Sequence, residues 1–358
     1  MKITDIKIEK FYIELTEPFK VAFAEITHSV SILIKIQTDE GIEGYGEAAP
    51  FAPVTGETTE GTIEILQLFR QGLIGKNPLE IEKLHAMMDH LAHGCGSAKC
   101  AVDIALHDIK GKVMGQPLYR VLGGYQNEVQ NDVTIGISTP ERMAEAASDY
   151  VKNQGYRILK IKAGIDPRDD LRALKQIREA VGDEIRLRVD ANQGYDISRA
   201  LFALEGMKAL GIEAVEQCLP DWDLEGASCL KKKVSGIQLM LDESIHTTKD
   251  AARACRLEAA DILNIKLMKC GGLYRGGQIA TLAENFGLTC MVGCMMETKI
   301  AITAGLSLVA SRKAITEADC DSFLYYKDAD NGMPGGFTRT GDMFRLSEDP
   351  GLGLDISF

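Results

Sequence analysis

Beyond residue 124 of this 358-residue chain, polar or charged residues recur at a nearly constant spacing. They are Thr134, Lys162, Asp190, Glu216, Asp242, Lys266, Cys294 and Asp321, at gaps of 28, 28, 26, 26, 24, 28 and 27. Each falls near the end of a short apolar, β-branched run: NDVTIGI, YRILKIKAG, IRLRVDANQ, IEAVEQ, IQLMLDES, ADILNIKLMK, LTCMVGCMM and AITEADCDS. Helical periodicity fills the stretches between them. One strand plus one helix per gap puts every polar residue at the same end of its strand. In an α/β chain this describes a closed parallel barrel with one ring of chemistry around one mouth. The competing arrangement, a doubly wound open sheet, lacks support, because no G-x-G-x-x-G or Walker loop stands at any strand–helix junction.

The first part of the chain follows a different grammar. Residues 1 to about 60 are β-rich: Ile3 to Leu15 and Val30 to Thr38 alternate polar and apolar, and Asp39-Glu40-Gly41 signals a hairpin to a third strand. From Thr59 to about Leu122 the period is helical, with an amphipathic helix over Ser97 to Val113 that Gly115-Gln116-Pro117 stops. Strands and helices in separate blocks indicate an α+β unit. The tail from about Asn331 is Gly-rich and then strand-like, and is expected to return to that unit. The organisation expected is thus a cap of residues 1–122, joined by 331–358, and a barrel of 123–330.

Charge and cysteine usage exclude several classes of function. A net charge of -12 argues against nucleic acid, because phosphate contacts need clustered Lys and Arg. The run Lys231-Lys232-Lys233 reads as an exposed helix end. Nine scattered cysteines without a C-x-x-C pair offer neither a zinc knuckle nor a redox motif, and suit a reducing compartment. The N-terminus alternates like a strand rather than a signal peptide, and nothing approaches a membrane span. The expectation is a soluble cytoplasmic protein with no nucleic-acid or membrane partner.

Asp190, Glu216 and Asp242 fall on three neighbouring strands. Convergent carboxylates without His or Cys favour a hard cation such as Mg²⁺, one per subunit. Lys160 and Lys162 share one face of the second strand, and Lys266 ends the sixth, diametrically opposite in a ring of eight. Such a site suits removal of a proton α to a carboxylate. The hydrogen is weakly acidic, a divalent ion offsets the second charge that forms, and a positioned lysine takes the proton. Two bases on opposite faces allow the proton to leave one side and return on the other.

These residues resemble a known family. Lys160-Ile-Lys162, Asp190-Ala-Asn-Gln, Glu216-Gln217, Asp242-Glu243-Ser244 and Asn264-Ile-Lys266-Leu-Met-Lys-Cys-Gly-Gly are similar to the muconate-lactonizing subgroup of the enolase superfamily, and most of all to its dipeptide epimerases. Gly44-Tyr-Gly-Glu-Ala48, Gly115-Gln-Pro117 and Leu122-Gly-Gly124 resemble its capping region. The pairing of a lysine base with Mg²⁺ in that superfamily is a standard example of pKa tuning. The resemblance implies a (β/α)₇β TIM-like barrel with an α+β cap built from both termini. It also implies Asp190, Glu216 and Asp242 as Mg²⁺ ligands, Lys162 and Lys266 as acid/base pair, and Lys160 as the group that polarises the substrate carboxylate. Asp319-Cys-Asp321 on the eighth strand resembles the pair of acids that holds a dipeptide's α-ammonium. Members of the family often form rings or dimers, and no residue here demonstrates an oligomer.

Other positions bear on the substrate. Where epimerases of Ala-Glu carry an arginine for the glutamate side chain, this chain has Ala24, and no arginine occurs before Arg70. The second cap loop, around Phe51, is apolar, and Met295 and Met296 follow the seventh strand, so hydrophobic dipeptides are expected; Glu25 would instead favour a cationic side chain. Thr134 belongs to the same ring. The competing readings are an N-acylamino acid racemase or o-succinylbenzoate synthase on the same fold, a metal-independent Schiff-base aldolase, and a barrel retained only for binding. His85, His90 and His93 read as exposed, His107 as the polar edge of its helix, and Gly44-Tyr45-Gly46 as a turn.

Overall fold

The computed structural model describes residues 1–357. It opens with an antiparallel sheet, β1 (Ile3–Val21), β2 (Ala24–Thr38) and β3 (Glu43–Ala48), in the order β1-β2-β3. The alternating isoleucines Ile32, Ile34 and Ile36 are fully buried against α2 (Thr59–Leu73), α3 (Ile81–Leu91) and α4 (Gly96–Met114), which follow a single turn, α1 (Ala52–Thr55). A short α5 (Leu118–Leu122) ends this unit.

Three expectations fail here for one reason, the tight seating of α4. Gly44 and Gly46 form no turn; they lie within β3, and a Cβ at either would strike the carbonyls of Ala105 and Ala101. Glycine lets the helix backbone come down onto the strand. Enclosed between sheet and barrel, α4 is buried on nearly every side. His107 is therefore buried and not at a polar edge, and His85 is buried as well. Both bracket Asp103, His85 Nε2 at 2.6 Å and His107 Nδ1 at 3.3 Å. His90 and His93 are exposed.

After β4 (Glu128–Gln130), strands and helices alternate. The strands are β5 (Val133–Ile135), β6 (Ile158–Lys162), β7 (Arg186–Asp190), β8 (Ala214–Glu216), β9 (Gln238–Leu241), β10 (Ile262–Lys266), β11 (Thr289–Gly293) and β12 (Ile315–Asp319). Between them run α6 (Pro140–Lys152), α7 (Pro167–Val181), α8 (Ile197–Ala209), α9 (Leu224–Lys233), α10 (Thr248–Leu257), α11 (Leu267–Cys270) with α12 (Leu273–Asn285), and α13 (Lys299–Ser311). The eight strands form one parallel sheet in chain order, a (β/α)₇β barrel. Each predicted apolar run contributes one strand. The gap between β12 and β5 is bridged by Asp132 N donating to Ala318 O (3.1 Å) and Cys320 N to Asn131 Oδ1 (2.8 Å). Thr139, Asp166, Asp196, Asp223, Thr247 and Thr298 cap the helices that follow the strands, which keeps the loops at the mouth short and fixed.

The tail forms β13 (Phe337–Thr340) and β14 (Met343–Leu346); β14 pairs with β4. Beyond it, Gly351 O accepts from Leu118 N and Leu352 N donates to Asp108, both at 2.8 Å. All nine cysteines are free thiols, and no described helix is long and apolar enough to cross a membrane.

Candidate active site

Strand register assembles the site. Lys162 stands opposite Asp190, and Asp190 opposite Glu216; Asp242 follows the end of β9 by one residue. Asp190, Glu216 and Asp242 are all buried and offer carboxylate oxygens within 4.8 Å of one another. Lys162 Nζ lies 2.7 Å from Asp190 Oδ2, and Lys266 Nζ lies 2.7 Å from Asp242 Oδ2. Because β6 and β10 are four places apart in a ring of eight, the two lysines approach from opposite walls. Room for Lys266 comes from Gly293 on the next strand, where a Cβ would sit 3.1 Å from the lysine Cε and 2.9 Å from Asn264 Oδ1.

The acids are held by their surroundings. Lys269, which the sequence pattern offered only as part of a motif, is buried behind the triad and donates to Asp242 Oδ1 at 2.6 Å. Asn264 Nδ2 donates to Glu216 Oε1 at 2.6 Å, and Asn192 N to Asp190 Oδ1 at 2.9 Å. Asn192, Gln193 and Gln217, just past the ends of β7 and β8, have φ of 41°, 67° and 39°. Non-glycine residues at positive φ store strain of about 1–3 kcal/mol each and cluster where loops must aim functional groups.

Charge is unevenly distributed. Burial raises the Asp190 carboxyl, but Lys162 and Lys160 outweigh it and bring the pKa to about 2. At Asp242 burial is likewise outweighed, by Lys266 and Lys269, and the pKa falls well below the usual range. Burial and then the Asp190 charge push Glu216 up to about 7. At Lys266 burial opposes the charge, yet Asp242 and Glu216 hold the pKa above that of an ordinary lysine. Three acids without His or Cys, one of them forced toward its neutral form, are a donor set for a hard divalent cation. Two neighbouring oxygens, Asn192 Oδ1 and Glu243 Oε2, are buried without a hydrogen-bond partner among the described residues. Orphaned oxygens beside three carboxylates are what a cation and its water would satisfy.

Above this floor lies a cavity of about 310 Å³. Its polar lining includes Thr134, Lys162, Asp242, Lys266, Asp319 and Asp321; its apolar walls include Phe51, Met295 and Met296. The hairpin of β1 and β2, whose distal part (residues 16–29) lay outside the strands expected from the sequence, adds Phe19, Val21, Phe23 and Ile26. Two expected contacts are absent from the lining. Ala24 pairs with Val21 at the hairpin tip, and its neighbours Phe23 and Ile26 reach the cavity instead. Lys160 lies beneath the floor, within 2.7 Å of Asp319, 2.8 Å of Glu216 and 3.2 Å of Asp190. Glu25 lies outside the lining as well.

Residues 3–123 match the family model of the mandelate racemase / muconate lactonizing enzyme N-terminal domain, and residues 142–357 match the enolase C-terminal domain-like model. The chain belongs to the enolase superfamily. Within the superfamily it is 41% identical to a hydrophobic dipeptide epimerase of Enterococcus faecalis over 99% of both chains, and 40% identical to an L-Ala-D/L-Glu epimerase of Clostridium acetobutylicum over 99% of both. An N-succinyl-L-Arg/Lys racemase of Bacillus cereus is 38% identical over 100% of this chain and 96% of that one. A crystal structure of a dipeptide epimerase from Enterococcus faecalis, complexed with Mg and L-Leu-L-Tyr, superposes with a TM-score of 0.96 at 40% identity, covering 99% of this chain and 100% of that one. These three relatives are epimerases or racemases, and this chain is an isomerase.

Proposed function

We propose that the chain is a Mg²⁺-dependent dipeptide epimerase that inverts the α-carbon of the C-terminal residue, acting on dipeptides with hydrophobic side chains. The observation that carries this reading is the make-up of one cavity: lysines on opposed strands at its floor, two acids to one side, and apolar walls above. Asp190, Glu216 and Asp242 would hold the metal. When bound, the ion would offset the charge that builds on the substrate carboxylate and weaken the acids' hold on the lysine protons. Lys162 and Lys266 do the proton work. One ε-amine, neutral, takes the α-proton from one face, and the other, charged, delivers a proton to the opposite face. Lys160 keeps Asp190, Glu216 and Asp319 together from below.

Asp319 and Asp321 are suited to the dipeptide's α-ammonium. A succinylated amine would bring negative charge to the same acids, which weighs against an N-succinyl substrate. Among the described residues the lining holds no arginine, so a glutamate side chain would find no bidentate partner. Hydrophobic walls are matched instead by the Enterococcus faecalis relative and by the L-Leu-L-Tyr complex.

The test is a mass-spectrometric screen of L-Xaa-L-Xaa pools in D₂O with Mg²⁺, followed by chelation. Deuterium gain confined to dipeptides with hydrophobic C-terminal residues, lost with EDTA and restored by Mg²⁺, is the expected result. Exchange only with N-succinyl amino acids would overturn the dipeptide reading, and activity that survives EDTA would overturn the metal.

A further inference from the structure

Tyr325 closes the short 3₁₀ helix Ser322–Tyr325 that follows β12. Its hydroxyl lies 2.6 Å from Asp321 Oδ2 and 2.8 Å from Thr134 O, and it accepts from Thr134 N at 3.1 Å. A phenol has one proton to give, and the shorter contact, to a carboxylate, takes it. Thr134 N also donates to Asp321 Oδ2, at 2.7 Å. One oxygen of Asp321 is thus fixed by donors from both sides of the barrel seam, while Oδ1 meets the weak Cys294 thiol, at 3.9 Å. A free carboxylate could turn either oxygen to the cavity; two donors on Oδ2 decide which one faces a ligand.

The same residue also bears the cap. The Tyr325 and Phe19 rings are 4.7 Å apart, and both line the cavity. Tyr325 O accepts from the Thr16 hydroxyl at 3.1 Å, and Leu15 bridges to Tyr326. The β1–β2 hairpin therefore seats on this segment of the barrel mouth.

We propose that Tyr325 is a positioning residue of the amine subsite: its hydroxyl sets Asp321 for the substrate ammonium, and its ring sets the hairpin wall that meets the adjoining side chain. This rests on the reading of Asp319 and Asp321 given above. Fit of the N-terminal side chain against Phe19 and grip on its ammonium are then governed through one residue.

The experiment uses the Mg²⁺-loaded enzyme and its Tyr325→Phe variant, which keeps the ring. Loss of one hydrogen bond to a charged group is expected to raise KM for a free hydrophobic dipeptide about tenfold with kcat within about twofold. The inhibition constant of the same dipeptide N-acetylated, which has no ammonium, should not change. The pH profile supplies a second readout. Burial and the Asp319 charge raise Asp321 to about 6, while Tyr325 and Thr134 pull it down. Asp132, Tyr150 and Cys294 also face it. Without the hydroxyl the pKa climbs, so the acid limb of kcat/KM should move to higher pH. Tyr325→Leu should in addition change the ranking of dipeptides by N-terminal side chain.

An unchanged KM in Tyr325→Phe, or an equal loss for the free and acetylated ligands, would overturn the proposal. Asp321→Asn separates the levels. If that variant leaves KM unchanged, the ammonium reading fails and takes this inference with it. If Asp321→Asn raises KM and Tyr325→Phe does not, this inference alone fails.

Discussion

Two groups of three buried carboxylates share the barrel mouth: Asp190, Glu216 and Asp242 around one point, and Asp132, Asp319 and Asp321 around another. The first is ringed by ammonium groups. Lys160, Lys162, Lys266 and Lys269 all touch it, and Asp190 and Asp242 stay ionised as a result. The second relies on hydroxyls, amides and shared cations. Thr134 and Tyr325 serve Asp321, Lys160 and Thr134 serve Asp319, and Arg188 reaches one oxygen of Asp132 at 3.1 Å. The other Asp132 oxygen has no partner among the described residues, and burial with the Asp319 charge raises that carboxyl well above its ordinary value. Similar residue types thus acquire different capacities. A cluster paired with lysines can, in the proposed reading, exchange them for a divalent ion and leave Lys162 and Lys266 to move protons. A cluster held by hydroxyls keeps a weaker negative field, suited to a single ammonium.

The largest test of that contrast removes the proposed bases. Lys162→Ala and Lys266→Ala should each lower epimerisation by about 10²–10⁴-fold, the usual worth of a positioned acid or base. Mg²⁺ binding by calorimetry should persist, and deuterium exchange should survive from one stereoisomer only. Full epimerisation by either variant would erase the distinction between the clusters. At the other cluster, Asp321→Asn should raise KM for free dipeptides about 10- to 100-fold with little change in kcat. A fall in kcat alone would place that acid in the chemistry. The third test is pH. Glu216, raised to about 7, must lose its proton for the metal to bind, so Mg²⁺ affinity should fall as pH drops below that value, by about tenfold per unit if one proton is displaced. Affinity flat between pH 5 and 7 would mean that the acid is already ionised. The smallest effect belongs to the walls: Phe51→Ala should raise KM by about two- to fivefold for bulky hydrophobic dipeptides and less for Ala-Ala, from lost apolar contact.

The barrel was legible because its signal repeats. Each βα unit restates the same polar stop, and parallel register turns equal spacing into equal height, so Lys162, Asp190 and Glu216 meet side by side as their positions implied. What escaped depends on partners remote in sequence. His85 reads as a surface residue until Asp103 on the next helix supplies its charge partner. Lys160 alternates with Lys162 on one strand face, yet three acids draw it below the floor. The hairpin escaped for another reason. Its tip at Ala22-Phe23 lacks a turn residue such as Gly or Asn, and Phe19, Val21 and Ile26 line a cavity as well as packing on the core. Tyr325 gave no signal, since an isolated tyrosine after a strand is unremarkable until Asp321 and Phe19 converge on it.

The hairpin has a further consequence. Its strands pair with each other and, through β2, with β3, and meet the barrel where Ile137 N donates to Lys20 O and Lys327 N to Glu14 O, while the lysines and carboxylates of the site stand on barrel strands or their ends. Phe19, Val21, Phe23 and Ile26 stand on neither the strands nor the strand ends that carry Lys162, Asp190, Glu216, Asp242 and Lys266. On the proposed reading, taste and trade are therefore inherited on separate stretches of chain: such a protein would drift to new dipeptides by editing one ribbon, generation by generation, while its reaction stayed the same.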